Sequence, residues 1–253
     1  MNSTLYMKAQ PQKVAKNVIF SGDPWRVEVL KNYLDNPVKI GFFREFNTYT
    51  GTYKGVPITI TSTGIGSPSA AIAMEEMYDC GMKLAIRMGT IMALDDALLG
   101  NYIVPIASVR GEATSDTYVE KSYPAVADFE LVQSLIRTFN THGQKVHQGI
   151  NATFDGYYSQ MKKGQIAINQ GFNINERFSS LKKQGIIGID MESSCLFVLG
   201  RLMGVRTAAI TLVTVLHDLV AQMPEKERII KEDELCRLTL ESVYRFEQEN
   251  QNA

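Results

Sequence analysis

The chain has 253 residues, with 26 Lys and Arg against 27 Asp and Glu and a formal net charge of −1. A near-neutral chain offers no global field for nucleic acid or an anionic membrane, so any anion it binds is held by a few local cations. Three Cys without a CxxC pair and three His argue against a disulfide scaffold and a structural zinc site, and no 18-residue apolar run marks a membrane span. The stretch from Met1 to Lys16 is polar, without the apolar core of a secretory signal, so a cytoplasmic protein with reduced thiols is expected.

Short β-rich runs alternate with amphipathic stretches. Val18 to Phe20 predicts a strand, and Asp23 and Pro24 suit the cap and first position of a helix to about Leu34. Two β-branched runs from Thr48 to Thr63, broken at Lys54-Gly55, predict a hairpin. Ser67 and Pro68 suit the start of a helix to about Asp79, with Gly81 beyond its end. Leu84 to Met88 predicts a strand that breaks at Gly89-Thr90, and Tyr102 to Val109 a further one. A helix over Phe129 to Thr141 and a strand over Val146 to Thr153 follow. Ile186 to Ile189 predicts a short strand running into Asp190-Met191-Glu192 and a helix through Leu202. Thr207 to Leu216 is continuously apolar, as a strand buried on both faces is, and Glu227 to Gln248 predicts the last helix. No repeat or linker interrupts the alternation. The expectation is one domain over residues 1–253, a three-layer α/β/α sandwich with a mixed central sheet.

Five segments carry chemistry, each with a plainer structural reading beside it. Gly22 lies between a strand and a helix, where backbone N–H groups approach an anion, and Arg26 adds a charged fork; the plainer reading is a βα turn with a surface arginine. Arg87 sits in an apolar strand just before Gly89 and Thr90, a costly place unless a phosphate or an internal carboxylate pairs it. Gly64-Ile65-Gly66-Ser67 lacks the Gly-Lys-Ser/Thr of a phosphate loop and reads as a tight turn packing a helix on the sheet. In Asp190-Met191-Glu192 a carboxylate can accept from sugar hydroxyls, or merely suit a helix N-terminus. In Tyr157-Tyr158-Ser159-Gln160-Met161-Lys162, the tyrosines offer stacking surface and Gln160 paired hydrogen bonds to an amide edge; an exposed aromatic loop is the alternative.

Together these segments resemble the nucleoside phosphorylase family, most closely its uridine-specific branch. The residues that carry the resemblance run in order through Gly22-Asp23-Pro24-x-Arg26-Val27, Arg44-Glu45-Phe46, Ser62 to Ser69, Arg87-x-Gly89-Thr90, Ala107 to Arg110, Pro124 to Glu130 and Met191-Glu192-Ser193. They span nearly the whole chain.

The resemblance implies reversible phosphorolysis, with inorganic phosphate as co-substrate and no organic cofactor. It implies a phosphate site of Gly22, Arg26, Arg87, Gly89 and Thr90, completed by Arg44 reaching into a neighbouring subunit. A homo-oligomer follows, a dimer at least and in the uridine-specific branch a hexamer built as a trimer of dimers. Thr90, Met191 and Glu192 match the ribose contacts; Tyr157, Gln160 and Lys162 match the base site, with Leu216, His217 and Asp218 in its late loop. Arg87, Glu192, Gln160 and Lys162 would carry catalysis. Glu45, Ile65 and Ser69 match residues that hold potassium at a dimer interface in some bacterial members. The chain departs from the pattern in five places: the Gln160 motif needs a one-residue deletion that puts Gly156 where an aromatic is usual, and Ile91-Met92-Ala93 follow Thr90 where a glycine-rich stretch is usual. The chain also has Ser3-Thr4-Leu5-Tyr6 where an N-terminal His is usual, Lys162 where an Arg is, and His217 beside Asp218 where purine-specific members place a catalytic Asp. The alternatives are therefore a purine nucleoside phosphorylase and a nucleoside-binding homologue without catalysis.

Overall fold

Buried β-branched and aromatic runs form the centre of the sheet, and two groups of helices cover them. The computed structural model describes residues 3–251; the outermost ends of the expected 1–253 domain, Met1 of the polar leader among them, lie outside these. The strands are β1 (Asn17–Ser21), β2 (Asp35–Phe43), β3 (Phe46–Tyr53), β4 (Val56–Ser62), β5 (Leu84–Ala93), β6 (Tyr102–Gly111), β7 (Ala125–Val126), β8 (Val146–Phe154), β9 (Ile186–Asp190) and β10 (Arg206–Leu216). The helices are α1 (Pro24–Leu30), α2 (Ser67–Asp79), α3 (Phe129–Thr141), α4 (Gln165–Asn169), α5 (Ile174–Lys183), α6 (Ser193–Met203) and α7 (Glu225–Gln251).

All ten strands join one mixed sheet. Its open part runs β2-β3-β4-β1-β5, with β1 parallel to both β4 and β5. From β5 the sheet continues β9-β8-β6-β10, and β10 returns to pair with β5 along ten positions. Five strands thus close into a ring fused to an open sheet. Long, twisted strands allow this closure. β5 is ten residues long and reads through Gly89 and Thr90 rather than ending at Met88, because β10 pairs it as far as Ala93 and β9 pairs its last two residues.

Successive side chains of β1 point to opposite faces. Ile19 enters the core with Val27 and Leu30 of α1, Leu131 and Leu135 of α3, and Leu238 of α7. Val18 and Phe20 enter the core under α2 and α6, with Met74, Met77 and Leu196. Helices therefore lie on both faces, as the sandwich expectation has it, with the closed ring as an added feature.

The cap chemistry explains where α1 and α2 begin. Asp23 accepts from the Trp25 N–H at 2.9 Å with Pro24 behind it, and α1 closes at Leu30, with one tighter turn to Tyr33, short of the predicted Leu34. Gly66, not Ser67, is the cap of α2; at φ 97° and ψ 155° it holds a conformation that only glycine adopts at low cost. The hairpin turn falls at Lys54 and Gly55, both at positive φ, as two-residue hairpin turns require.

Candidate active site

A cleft of about 870 Å³ opens where β1, β4 and β9 end and where α1, α2 and α6 begin. Ligands collect at such strand ends in α/β sheets. Gly22, Asp23 and Arg26 line it from the β1–α1 turn, Gly64 and Ile65 from the turn before α2, and Arg87, Gly89 and Thr90 from β5. Asp190, Met191 and Glu192 line it from the β9–α6 turn, Tyr157, Tyr158 and Met161 from the loop after β8, Thr214 and Val215 from β10, and Arg228 from α7.

Arg87 is buried on the cleft floor and faces two carboxylates. Its Nη2 donates to Glu192 Oε2, and its Nη1 lies 3.5 Å from Asp190 Oδ2. The Nη1 atom is buried and has no hydrogen-bond partner among the described residues. Burial opposes the charge, but Glu192 and Asp190 outweigh it and raise the pKa, so the guanidinium stays cationic. The internal carboxylate pairing that the sequence allowed for Arg87 is therefore present. Gly89 makes room for this group: a Cβ there would lie 2.8 Å from Arg87 Nη1.

Both carboxylates are held from behind. Glu192 Oε1 accepts from the Gly66 N–H at 2.7 Å. Asp190 Oδ1 accepts from Thr153 Oγ1 at 2.7 Å, and its other oxygen accepts from Ser193 Oγ. Arg26 is also buried; its Nη1 donates to Ser21 Oγ at 3.2 Å and its Nη2 to Glu232 Oε1 at 3.3 Å, while Nε is buried without a partner. At Gly22 the β1–α1 turn passes close to the β4–α2 turn, where a Cβ would meet the Gly64 carbonyl at an ordinary contact distance of 3.4 Å. Tyr157 and Tyr158 pack edge to face at 5.1 Å, and burial raises the Tyr157 phenol pKa.

Of the residues expected from the sequence, Gly22, Arg26, Arg87, Gly89, Thr90, Met191, Glu192, Tyr157 and Ile65 come together in this cleft. Others sit off its lining. Gln160 Oε1 accepts from the Gly156 N–H at 2.8 Å and so braces its own loop, and Lys162 Nζ lies 5.8 Å from the Tyr158 ring centroid. Leu216 is buried, the His217 ring packs 5.5 Å from Phe178, and Asp218 accepts from the Lys163 N–H at 3.0 Å. Glu45 Oε1 accepts from Ser69 Oγ at 2.6 Å behind the Gly64 turn. Arg44 stands at φ 55°, its guanidinium 5.2 Å from the Tyr6 ring centroid, in a separate groove with Leu5, Lys8 and Phe43. Thr214 and Arg228 line the cleft from outside the sequence motifs. Arg228 sits four residues before Glu232, which in sequence is an ordinary surface pair on a helix. Among the described residues no group of three or more His, Cys, Asp and Glu is placed to hold a metal ion.

A mixed sheet that gathers arginines and carboxylates into one cleft at its strand ends defines an α/β protein with a charged cleft of ligand size. The chain belongs to the phosphorylase superfamily, whose family model matches residues 16–243, and is a pentosyltransferase of that kind. It is 37% identical to a uridine phosphorylase of Thermococcus kodakarensis over 211 residues, covering 82% of this chain and 76% of the relative. It is 31% identical to a guanosine phosphorylase of Halorubrum lacusprofundi over 236 residues, covering 89% and 91%. The crystal structure of a uridine phosphorylase from Vibrio fischeri ES114 superposes with a TM-score of 0.87 at 32% identity, covering 97% of this chain and 98% of that one.

Proposed function

We propose that the protein catalyses the reversible phosphorolysis of uridine to uracil and ribose 1-phosphate. The observation that carries this reading is the buried Arg87–Glu192 pair, which sets a cation for phosphate against a carboxylate for a sugar hydroxyl in one cleft. Phosphate is held by the guanidinium groups of Arg26 and Arg87, with Gly22, Gly89 and Thr90 around it. Glu192 accepts from the ribose 2′-hydroxyl, and Met191 supplies an apolar surface for the sugar. As the glycosidic bond breaks, the ribose gains oxocarbenium character, which the phosphate below C1′ stabilises as counter-charge and captures as nucleophile. The base leaves as an anion. Gln160 and Lys162 belong to the loop whose Tyr157 and Tyr158 face the cleft, and turning that loop inward brings their donors to the base edge.

Arg44 serves the neighbouring subunit's phosphate, so the working unit is a homo-oligomer, a dimer at least and a hexamer as a trimer of dimers. Its place in a groove separate from its own cleft supports this. Glu45 and Ser69, held together, supply the oxygen donors a potassium ion takes, with Ile65 adding its main-chain carbonyl. No helix among the described residues is long and apolar enough to cross a membrane.

One assay tests the reading: uridine, thymidine, inosine and adenosine, each with and without phosphate. Uracil release that depends on phosphate supports it. Faster turnover of inosine would favour the purine reading, for which the relative named a guanosine phosphorylase and the His217-Asp218 pair speak. Absence of base release from all four would leave a nucleoside-binding protein.

A further inference from the structure

The cleft holds a cation that none of the sequence motifs includes. Arg228, in the first turns of α7, lines the same cleft as Gly22 and Arg26. Its Nε donates to Glu232 Oε1 at 2.8 Å, the same oxygen that Arg26 Nη2 reaches at 3.3 Å. One carboxylate therefore serves two guanidinium groups from opposite ends of the chain. We propose that Arg228 is a positioning residue for phosphate: it shares the charge of Glu232, so that Arg26 keeps its own charge available to an anion.

The charges around the cleft require such a partner. Asp23, Asp190 and Glu192 line it, and Glu232 adjoins it through Arg26. Arg87 already faces two of these carboxylates. If Arg26 met Glu232 alone, its charge would be cancelled by a partner 3.3 Å away in a largely buried pair. A phosphate dianion would then find no uncompensated cation from this chain. Arg228 offsets the charge of Glu232 from the solvent side, where its own side chain is half exposed, and so relieves Arg26 of part of that pairing. Arg26, which lines the cleft and keeps its Nε without a hydrogen-bond partner, then holds its charge largely uncompensated. A helix pair at i and i+4 with no tertiary partner would have no such effect; the shared oxygen makes the difference.

This inference rests on phosphate being a substrate of the cleft, and its test reads phosphate directly. Calorimetric binding of inorganic phosphate to the full chain at low salt is measured beside steady-state kinetics. Arg228→Gln is expected to weaken phosphate binding and raise the phosphate KM about tenfold, while the nucleoside KM stays within about twofold. Arg228→Lys, which keeps the charge, is expected to retain most of the affinity. Arg228→Gln combined with Glu232→Gln removes both opposing charges and is expected to restore phosphate binding, which a merely structural contact would not do. Unchanged phosphate affinity in Arg228→Gln, no recovery in the double variant, or a rise confined to the nucleoside KM would overturn the proposal. A parent chain that binds no phosphate would remove the functional reading itself, whereas a parent that binds beside an unaffected variant removes only this inference.

Discussion

Glu192 divides its carboxylate between Gly66 and Arg87: Oε1 accepts from the Gly66 N–H at 2.7 Å, and Oε2 accepts from Arg87 Nη2. Two turns and one strand of the chain meet at this side chain. Gly66 brings the start of α2, Arg87 the middle of β5, and Glu192 itself the start of α6. The cleft floor is therefore fixed before any ligand arrives, which lowers the cost of ordering it in a transition state.

Removing Glu192 tests both roles of that carboxylate. Glu192→Ala leaves the buried Arg87 with Asp190 as its remaining carboxylate, at 3.5 Å. Breaking a buried pair by removing one partner costs about 3 kcal/mol. For a chain of this size, that loss lowers Tm by roughly 6–12 °C in a thermal unfolding scan. Activity is expected to fall further than stability accounts for, by about a hundredfold or more in kcat/KM for nucleoside. A variant with the parent's Tm and activity would refute the pairing.

Gly89→Ala separates catalysis from stability. The added methyl would lie 2.8 Å from Arg87 Nη1, so the guanidinium must shift while the strand pairing of β5 is kept. Two carboxylates hold that guanidinium in place, so the shift disturbs its aim rather than freeing it. The expected outcome is a phosphate KM raised about tenfold or more with a Tm within a few degrees of the parent, a displacement of about 1 Å being enough for a loss of that order. Equal phosphate KM values in kinetics would show that Arg87 does not need its present position.

Much of this architecture is legible in the sequence, and the exceptions have physical causes. β1, β10 and α3 are marked by uninterrupted apolar runs or a helical stripe, and the Asp23-Pro24 cap marks the start of α1. β2 lacks such a mark, because it is an edge strand with mostly exposed residues, a proline at position 37 and two register shifts. α5 does carry a signal, since Ile174, Phe178 and Leu181 recur at helical spacing and are its buried residues; the polar residues between them hide it. In the cleft, residues next to glycine turns announce themselves. Arg228 does not, because its value comes from a carboxylate shared with a residue 206 positions away from that carboxylate in the chain.

Mixing two inactive variants tests whether Arg44 acts in a neighbouring subunit. Arg44 stands in a separate groove from the cleft that holds Arg87. Arg44→Ala and Arg87→Ala are each expected to lose phosphorolysis. Co-expressed with distinct tags and purified through both, the mixed oligomer contains sites that pair an intact Arg87 with a partner's intact Arg44. In a dimer of two reciprocal sites, one of the two is then complete, and about half the parent's activity per mixed dimer is expected. No recovery above either single variant would place Arg44 outside the partner's site.

Glu241 gives a pH-dependent test of how α7, which carries Arg228, is fastened to the sheet. It is buried on α7 and accepts from Lys54 Nζ at 2.6 Å, Arg245 Nε at 3.0 Å and the Tyr53 hydroxyl at 3.1 Å. Lys54 and Tyr53 belong to the β3–β4 hairpin, so the carboxylate clamps the helix to that hairpin. Burial alone would raise its pKa, but the three donors outweigh it and the pKa is lowered. A carboxylate with a folded pKa below its unfolded one binds protons more readily when unfolded. Its stabilising contribution is then fully present above the ordinary carboxylate range and disappears as the pH falls through the folded value. Glu241→Gln is accordingly expected to lower the denaturant midpoint at neutral pH, with the gap from the parent closing as the pH drops below that range. A gap that stayed constant with pH would assign the loss to packing rather than to charge.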